Sequence, residues 1–194
     1  MKLNNTLLIL ILVFSVISCK KEVNYNLEKD YIEEKKKIIY YKGSPFNGIL
    51  IETVKTNLWH EEASYEGEEV TLIVRTPFTE GKINGIQTKM LGSKILYSEI
   101  DYVYNIKKIE KYYYTSGNIA QIVTFNSKTT EWDKIQSYYK NGKLKEEKSY
   151  NYKNEIEVNL YYESGVIKEE LIEEGNGWYK SINKYNEDGS LIRK

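Results

Sequence analysis

A tyrosine followed four residues later by a glycine recurs four times in the second half of this chain of 194 residues. The glycines, which are 25, 23 and 24 residues apart, are Gly117, Gly142, Gly165 and Gly189. The matching tyrosines are Tyr113, Tyr138, Tyr161 and Tyr185. A fixed period of this length is typical of repeat proteins, in which each copy is one supersecondary unit that packs on the next.

Each copy has the pattern of a β-hairpin. Asn141-Gly142 and Asp188-Gly189 are strong turn signals, because glycine adopts the positive φ that hairpin turns require. Residues 155–162 alternate between apolar and polar, as expected for a strand with one buried face. We therefore predict an all-β protein, a repetitive antiparallel β-meander of hairpins with a period of 23–25 residues and one buried face.

The composition agrees with strands. Tyrosine occurs 19 times against two prolines, and aromatic residues are enriched in sheets. The 28 basic residues equal the 28 acidic ones, so the basic excess of a nucleic-acid-binding protein is absent from the sequence. We expect no nucleic acid partner.

The first residues have the pattern of a secretory signal. Lys2 precedes an apolar run at residues 6–17, which is too short to span a bilayer. The run ends in Val-Ile-Ser-Cys at residues 16–19, which resembles the lipobox of bacterial lipoproteins. This resemblance implies a signal peptide at residues 1–18 and lipidation of Cys19, the only cysteine. The alternative is an ordinary signal peptide with a cysteine nearby by chance.

Lipidation would give the chain a membrane partner. The expected location is the bacterial cell envelope, on the outer membrane, facing the periplasm or the surface. Residues 19–37 are charged and poor in apolar side chains, so we interpret them as the lipidated cysteine and a tether. One or two helical turns near residues 27–36 are the alternative.

Three segments support a resemblance to a known repeat. YYKNGKLKEEKSY at residues 138–150 resembles the MORN-variant repeat of bacterial proteins of the YwqK antitoxin family, and SPFNGILIE at 44–52 and TPFTEGKINGIQ at 76–87 resemble its P-F-x-G opening. The resemblance implies a single-layer or shallowly curved sheet without known enzymatic activity. We assign residues 38–107 to degenerate N-terminal repeats and 108–194 to MORN-like hairpin repeats.

The residues of common catalytic sites are scarce. His60 is the only histidine, which excludes a multi-histidine metal site. Glutamate doublets recur at residues 146–147, 169–170 and 173–174, but adjacent strand residues face opposite sides of a sheet. We therefore interpret these glutamates as members of solvated ion pairs, whose partners are Lys143, Lys145, Lys148 and Lys168. The glutamates of residues 61–69 lack the spacing of a calcium loop. We expect no enzyme, catalytic residue, metal or cofactor, and an envelope hydrolase is the least favoured alternative.

Aromatic side chains are the better candidates for function. Flat amphipathic rings suit a sugar or a protein partner. Our candidate binding residues are Tyr112, Tyr114, Tyr139, Tyr161 and Trp178. In the alternative interpretation, these side chains pack against the sheet and bind no partner.

We therefore predict a non-enzymatic, lipid-anchored envelope repeat protein that presents a sheet surface to a protein or an envelope polymer. The alternative that the resemblance implies is an antitoxin or immunity protein that binds and neutralises a toxin.

Overall fold

The computed structural model describes residues 21–57, 69–151, 153, 155–175 and 177–192. Strands dominate these residues, which confirms the predicted all-β class. The helical elements between the first two strands are α1 (Tyr25–Glu28) and a 3-10 helix (Lys29–Tyr31). Within the described ranges, no helix is long and apolar enough to cross a membrane.

The strands follow one another closely along the chain. In order they are β1 (Lys21–Asn24), β2 (Ile32–Lys35), β3 (Ile38–Tyr41), β4 (Ser44–Pro45), β5 (Gly48–Asn57), β6 (Glu69–Thr79), β7 (Lys82–Ile83), β8 (Gly85–Leu91), β9 (Ile95–Val103), β10 (Ile106–Tyr113), β11 (Ile119–Phe125), β12 (Trp132–Tyr138), β13 (Leu144–Tyr150), β14 (Ile156–Tyr161), β15 (Ile167–Gly175) and β16 (Trp178–Lys184).

Most of the described strands form one large sheet. Its order is β1-β5-β6-β8-β9-β10-β11-β12-β13-β14-β15-β16, with β7 beside β6. From β8 onward, neighbours in the sheet are consecutive in the chain and antiparallel, so the predicted meander is confirmed. β1 differs, because it pairs parallel with β5. A small second sheet has the order β2-β3-β4.

The four tyrosine-glycine hairpins of the repeat half share one turn. In the loop between β12 and β13, the amide of Gly142 donates to the carbonyl of Tyr139 at 2.9 Å, and that of Tyr139 donates to the carbonyl of Lys143 at 2.8 Å. The same two bonds recur at Gly117, Gly165 and Gly189. The four glycines have φ between 81° and 92°, as in three-residue loops that end in a bulge. This turn explains the glycine of each repeat.

Four hairpins of the first half use shorter turns. Both residues have positive φ in the two-residue loops at 36–37, 42–43, 80–81 and 104–105, the pattern of type I′ turns. Lys36-Lys37 and Tyr104-Asn105 contain no glycine, so composition did not predict them. The period is therefore blurred in this half, although the hairpins continue.

The small sheet covers the N-terminal end of the large sheet. Val23, Tyr41, Phe46, Leu50 and Phe78 form a buried cluster there. The rings of Phe46 and Phe78 lie 5.7 Å apart, so the two P-F-x-G segments meet in this core.

The predicted tether is corrected by this packing. Residues 21–35 form β1, α1, the 3-10 helix and β2, and the side chain of Val23 is fully buried. The physical reason is that one valine and four backbone pairs with β5 fasten an otherwise polar segment to the sheet. A helix does begin at Tyr25, near the predicted alternative. Cys19 lies outside the described residues.

The repeat half has no single buried face. Nearly all residues of β11–β15 are partly exposed on both faces, and the exceptions are Ala120 at 5% and Val158 at 2%. These strands contact mainly their two neighbours in the sheet. The prediction of one buried face is therefore wrong for this half, because a single layer leaves both faces accessible.

Candidate interaction surface

A row of polar side chains crosses five consecutive strands of the repeat half. Directly opposed residues of paired strands share a face of the sheet. The row, which we call the polar row, is Gln136, Glu147, Asn159, Glu170 and Asn183. Amides and carboxylates therefore alternate from strand to strand on one face.

Hydrogen bonds hold the carboxylates of the polar row in place. Gln136 Nε2 donates to Glu147 Oε2 at 2.7 Å, and Lys134 Nζ lies 2.8 Å from the same oxygen. Asn183 Nδ2 donates to Glu170 Oε2 at 2.6 Å. The row is thus ordered by its own contacts, before any partner binds.

The first tyrosine of each repeat lies beside the polar row. Tyr138, Tyr161 and Tyr185 follow a row residue by two positions, so they share its face. The hydroxyl of Tyr185 donates to Glu170 Oε2 at 2.9 Å, and this bond raises the pKa of Tyr185. Burial, with the charges of the neighbouring glutamates, raises the pKa of Tyr161. Both phenols are therefore donors at neutral pH.

The pattern extends to Tyr113 in β10. Its hydroxyl donates to Glu99 Oε2 at 2.6 Å. Burial raises the pKa of Tyr113 to about 12, and the bond to Glu99 adds to the effect. Glu99 was not predicted as a partner of Tyr113, because it precedes the recognisable repeats and belongs to β9.

The second tyrosine of each repeat lies on the opposite face and joins neighbouring repeats. The hydroxyl of Tyr139 donates to the carbonyl of Tyr161 at 2.7 Å, and that of Tyr162 donates to the carbonyl of Tyr185 at 2.8 Å. The hydroxyl of Tyr114 bonds the carbonyl of Tyr138 in the same way. We call these bonds the tyrosine clamps.

The last repeat has no such tyrosine. Asn186 occupies the position, and its Nδ2 donates to Ser190 Oγ within the same hairpin at 2.9 Å. The clamps were not predicted, although the doubled tyrosine of the first three repeats and its loss in the fourth were available signals.

The structure divides the five candidate aromatic residues between the two faces. Tyr112, Tyr114 and Tyr139 lie on the clamp face, whereas Tyr161 and Trp178 lie on the face of the polar row. The hydroxyl of Tyr112 donates to Glu110 Oε1 at 2.7 Å, and burial raises the pKa of Tyr112. The side chain of Trp178 is 77% exposed. The five residues therefore do not form one surface.

The glutamate doublets divide as predicted. Glu146 is opposite Leu160 and Glu147 opposite Asn159, so one carboxylate lies on each face. Glu146 pairs with Lys148 at 3.1 Å, and Glu169 pairs with Lys184 at 3.0 Å. Of these partners, Lys148 was predicted and Lys184 was not.

The only buried acidic residue among the described core residues is Glu110. Its carboxylate accepts bonds from Lys107 Nζ at 2.9 Å and from Tyr112. Buried charges are costly unless they are paired in this way. Lys107 also lies 4.8 Å from the ring of Phe125. This cluster therefore serves the packing of the sheet.

Across the described ranges, no group of three or more histidine, cysteine or acidic side chains is placed to hold a metal ion. His60 and the glutamates at 61, 62, 66 and 68 lie outside the described residues. Glu69 is described, and it pairs with Lys55 Nζ at 2.7 Å.

Comparison with known proteins identifies the repeat. No curated protein matches the chain. Residues 108–127 and 134–152 match the family model of the MORN repeat variant. The first match covers most of the hairpin β10–β11 and the second most of β12–β13, each centred on a Tyr-Tyr-x-x-Gly turn. These two segments of the chain are therefore MORN-variant repeats.

Proposed function

We propose that this chain is a non-enzymatic binding protein of the bacterial cell envelope, and that the polar row with its flanking tyrosines is the binding face. The observation that carries the proposal is the recurrence of phenol, amide and carboxylate groups on one partly exposed face of β12–β16. The MORN-variant repeats support it, since MORN repeats generally bind proteins or membranes and are not catalytic.

The spacing of this face suits an extended partner. Neighbouring strands are about 4.8 Å apart, so equivalent groups recur about every 10 Å. A polymer rich in hydroxyl groups or a polar protein surface offers matching donors and acceptors. Tyr161 and Trp178 add aromatic area, which sugars and protein surfaces both use.

Adjacent tyrosines on opposite faces allow a sharp test. Tyr161→Ala removes a ring beside the polar row, whereas Tyr162→Ala removes a tyrosine clamp. We expect Tyr161→Ala to lose the partner captured by crosslinking in cells while the protein remains folded. Tyr162→Ala should lower the melting temperature but retain the partner.

The comparison is made at a temperature at which circular dichroism shows both variants folded. Equal capture of the partner by both variants would refute the binding role of this face. Treatment of the captured complex with protease or with glycosidase then distinguishes a protein from an envelope polymer.

We also propose that Cys19 is lipidated and anchors the chain. The apolar run at residues 6–17 and its Val-Ile-Ser-Cys ending support this. Two or three acyl chains hold a protein firmly, because each buried CH2 contributes about 0.8 kcal/mol. Labelling in cells with a palmitate analogue should mark the native protein and not Cys19→Ala. Label that persists in the variant would refute the anchor.

The antitoxin role is the second candidate. It is favoured by the resemblance of residues 138–150 to the repeats of the YwqK antitoxin family. In this case the same face would bind a toxin. A toxic protein encoded beside this chain, neutralised by co-expression of the secreted form alone, would support the role. Toxicity that is unchanged by the secreted form would exclude it.

A further inference from the structure

The helical segment between β1 and β2 carries apolar side chains that the fold does not cover. Leu27 is 82% exposed and Tyr31 is 56% exposed. The α-helix continues directly into the 3-10 helix, so both side chains belong to one short helical segment. We call these two exposed side chains the apolar ridge.

Lysines and tyrosines extend this ridge towards the start of the fold. Lys42 Nζ lies 4.7 Å from the ring centroid of Tyr31 and 5.2 Å from that of Tyr41. Lys21 Nζ lies 4.0 Å from the ring centroid of Tyr41. We define the N-terminal patch as Lys21, Leu27, Tyr31 and Lys42.

Two of the acidic groups beside the patch are engaged within the protein. Glu28 accepts a bond from the hydroxyl of Tyr41, and Glu22 pairs with Arg75. Residues 21–43 contain six lysines and five acidic residues, so the segment is nearly neutral. The patch thus combines an apolar ridge with two cations on flexible stems, within a segment that has little net charge.

The distance to Cys19 decides what the patch faces. Lys20 alone separates Cys19 from Lys21 in the sequence, and two residues of chain span at most about 7 Å. A tether would have left the fold free to move away from the membrane, but the sheet begins at Lys21. A lipidated Cys19 would hold the patch at the level of the lipid headgroups.

We propose that the N-terminal patch inserts into the bilayer interface as a second membrane contact beside the acyl anchor. The inference rests on the proposed lipidation of Cys19. Tyrosine rings and lysine stems suit the headgroup region, and an exposed leucine gains by entering the acyl boundary. Two contacts fix the orientation of the sheet, with β12–β16 at the far end of the strand order from the membrane.

Tryptophan quenching in vesicles tests the proposal. The lipidated full chain is prepared with Leu27→Trp or with Ile86→Trp, a control site in β8 that is 56% exposed. Both are reconstituted in vesicles of brominated phosphatidylcholine, and the emission of the native protein is subtracted. We expect Trp emission from position 27 to fall by about half, as for a side chain at the acyl boundary, and emission from position 86 to stay unchanged.

The outcomes separate the patch from the anchor. If the protein floats with the vesicles and neither site is quenched, or both are quenched equally, the patch is refuted and the anchor stands. If palmitate labelling is absent but the chain floats with position 27 quenched, the patch stands and the anchor fails. If the chain does not float, both fail.

A second arm tests the kind of contact. Addition of phosphatidylglycerol should leave the quenching at position 27 unchanged, because the segment of residues 21–43 is nearly neutral and insertion depends on the apolar ridge. Quenching that appears only with phosphatidylglycerol would overturn insertion in favour of attraction to anionic headgroups.

Leu27→Ser in the Cys19→Ala chain should lower partition into phosphatidylcholine vesicles about tenfold, the loss expected for one leucine. No change in partition would also overturn the proposal.

Discussion

The first and second tyrosines of the repeats have different partners because neighbouring strand residues point to opposite faces. The hydroxyl of Tyr185, a first tyrosine, bonds the carboxylate of Glu170, and that of Tyr162, a second tyrosine, bonds the carbonyl of Tyr185. A phenylalanine would supply the ring but neither bond. The tyrosine content therefore reflects hydrogen bonding between strands as well as strand propensity.

The tyrosine clamps predict the effect of removing a single hydroxyl. Tyr139→Phe leaves the carbonyl of Tyr161 without this donor, so we expect the free energy of unfolding to fall by about 1 kcal/mol. Tyr104→Phe, at a half-exposed ring in the turn after β9, is the control and should change it little. Urea denaturation measures both. Equal effects of the two substitutions would show that the clamp contributes nothing.

Tyr113 predicts a dependence on alkaline pH. Burial raises the pKa of Tyr113 to about 12 in the folded protein, whereas the pKa of a tyrosine in an unfolded chain is about 10. Because the folded pKa is the higher one, the stabilisation by Tyr113 is complete below about pH 10 and is lost as the pH rises towards 12.

Urea midpoints measured from neutral to alkaline pH check this dependence. Tyr113→Phe should reduce the loss of stability in that window, because the ring stays buried and can no longer ionise. Stability of the variant should still fall somewhat with pH, because other tyrosines, such as Tyr161, also have raised pKa values. Parallel pH profiles of stability for the native protein and Tyr113→Phe would contradict the assignment of this pH dependence to Tyr113.

At the scale of elements, β1 is the strand that sequence patterns did not reveal. It is four residues long, pairs parallel with β5 and contributes one buried side chain, Val23. The close approach requires Gly48, because a Cβ there would overlap the carbonyl oxygen of Lys21 and the ring of Phe46. A single glycine of β5 therefore admits the strand that starts the fold.

Gly48→Ala should displace β1. We expect a loss of about 1 to 3 kcal/mol in stability, as for overpacked sites, and a loss of amide protection at residues 22–24 in hydrogen exchange. Gly43→Ala is the control, because it has a positive φ of 80° but no atom within 4 Å of the added Cβ. It should lower stability while the amides of β1 remain protected. Protection of β1 in Gly48→Ala would contradict the role of the glycine.

At the scale of the molecule, burial is concentrated towards the N-terminal half of the sheet. Leu72, Val74 and Ile100 are at most 7% exposed, whereas Trp178, Tyr179 and Ile182 in β16 are 44% exposed or more. The small sheet adds a covered core at the N-terminal end. In a one-dimensional array, each strand depends on its neighbours, so stability should decline from the covered end.

Native-state hydrogen exchange checks this gradient. We expect the amides of β16 to exchange first, those of β12–β15 next, and those of β5, β6 and β9 last, because few apolar contacts protect the C-terminal strands. Equal fraying at both ends, which a bare repeat array would show, is the result that contradicts the covering role of the small sheet.

Much of the repeat half was predictable from local chemistry. The tyrosine-glycine period identified the hairpins, since glycine alone fits the bulged turn without strain, and alternation assigned Glu146 and Glu147 to opposite faces. The polar row was not predictable, because Gln136, Asn159 and Asn183 become neighbours only through the register of the strands, which bulges shift.

The sequence by itself therefore determined the all-β class, the hairpin period and the turn positions, which depend on residues within one repeat. The tertiary structure decided the docking of β1, the two faces of the candidate aromatic residues and the partners of the tyrosine hydroxyls. Most of those features depend on contacts between different strands, such as Lys21 with Gly48 or Tyr139 with Tyr161. No short pattern encodes such contacts, because they arise only when strands pair.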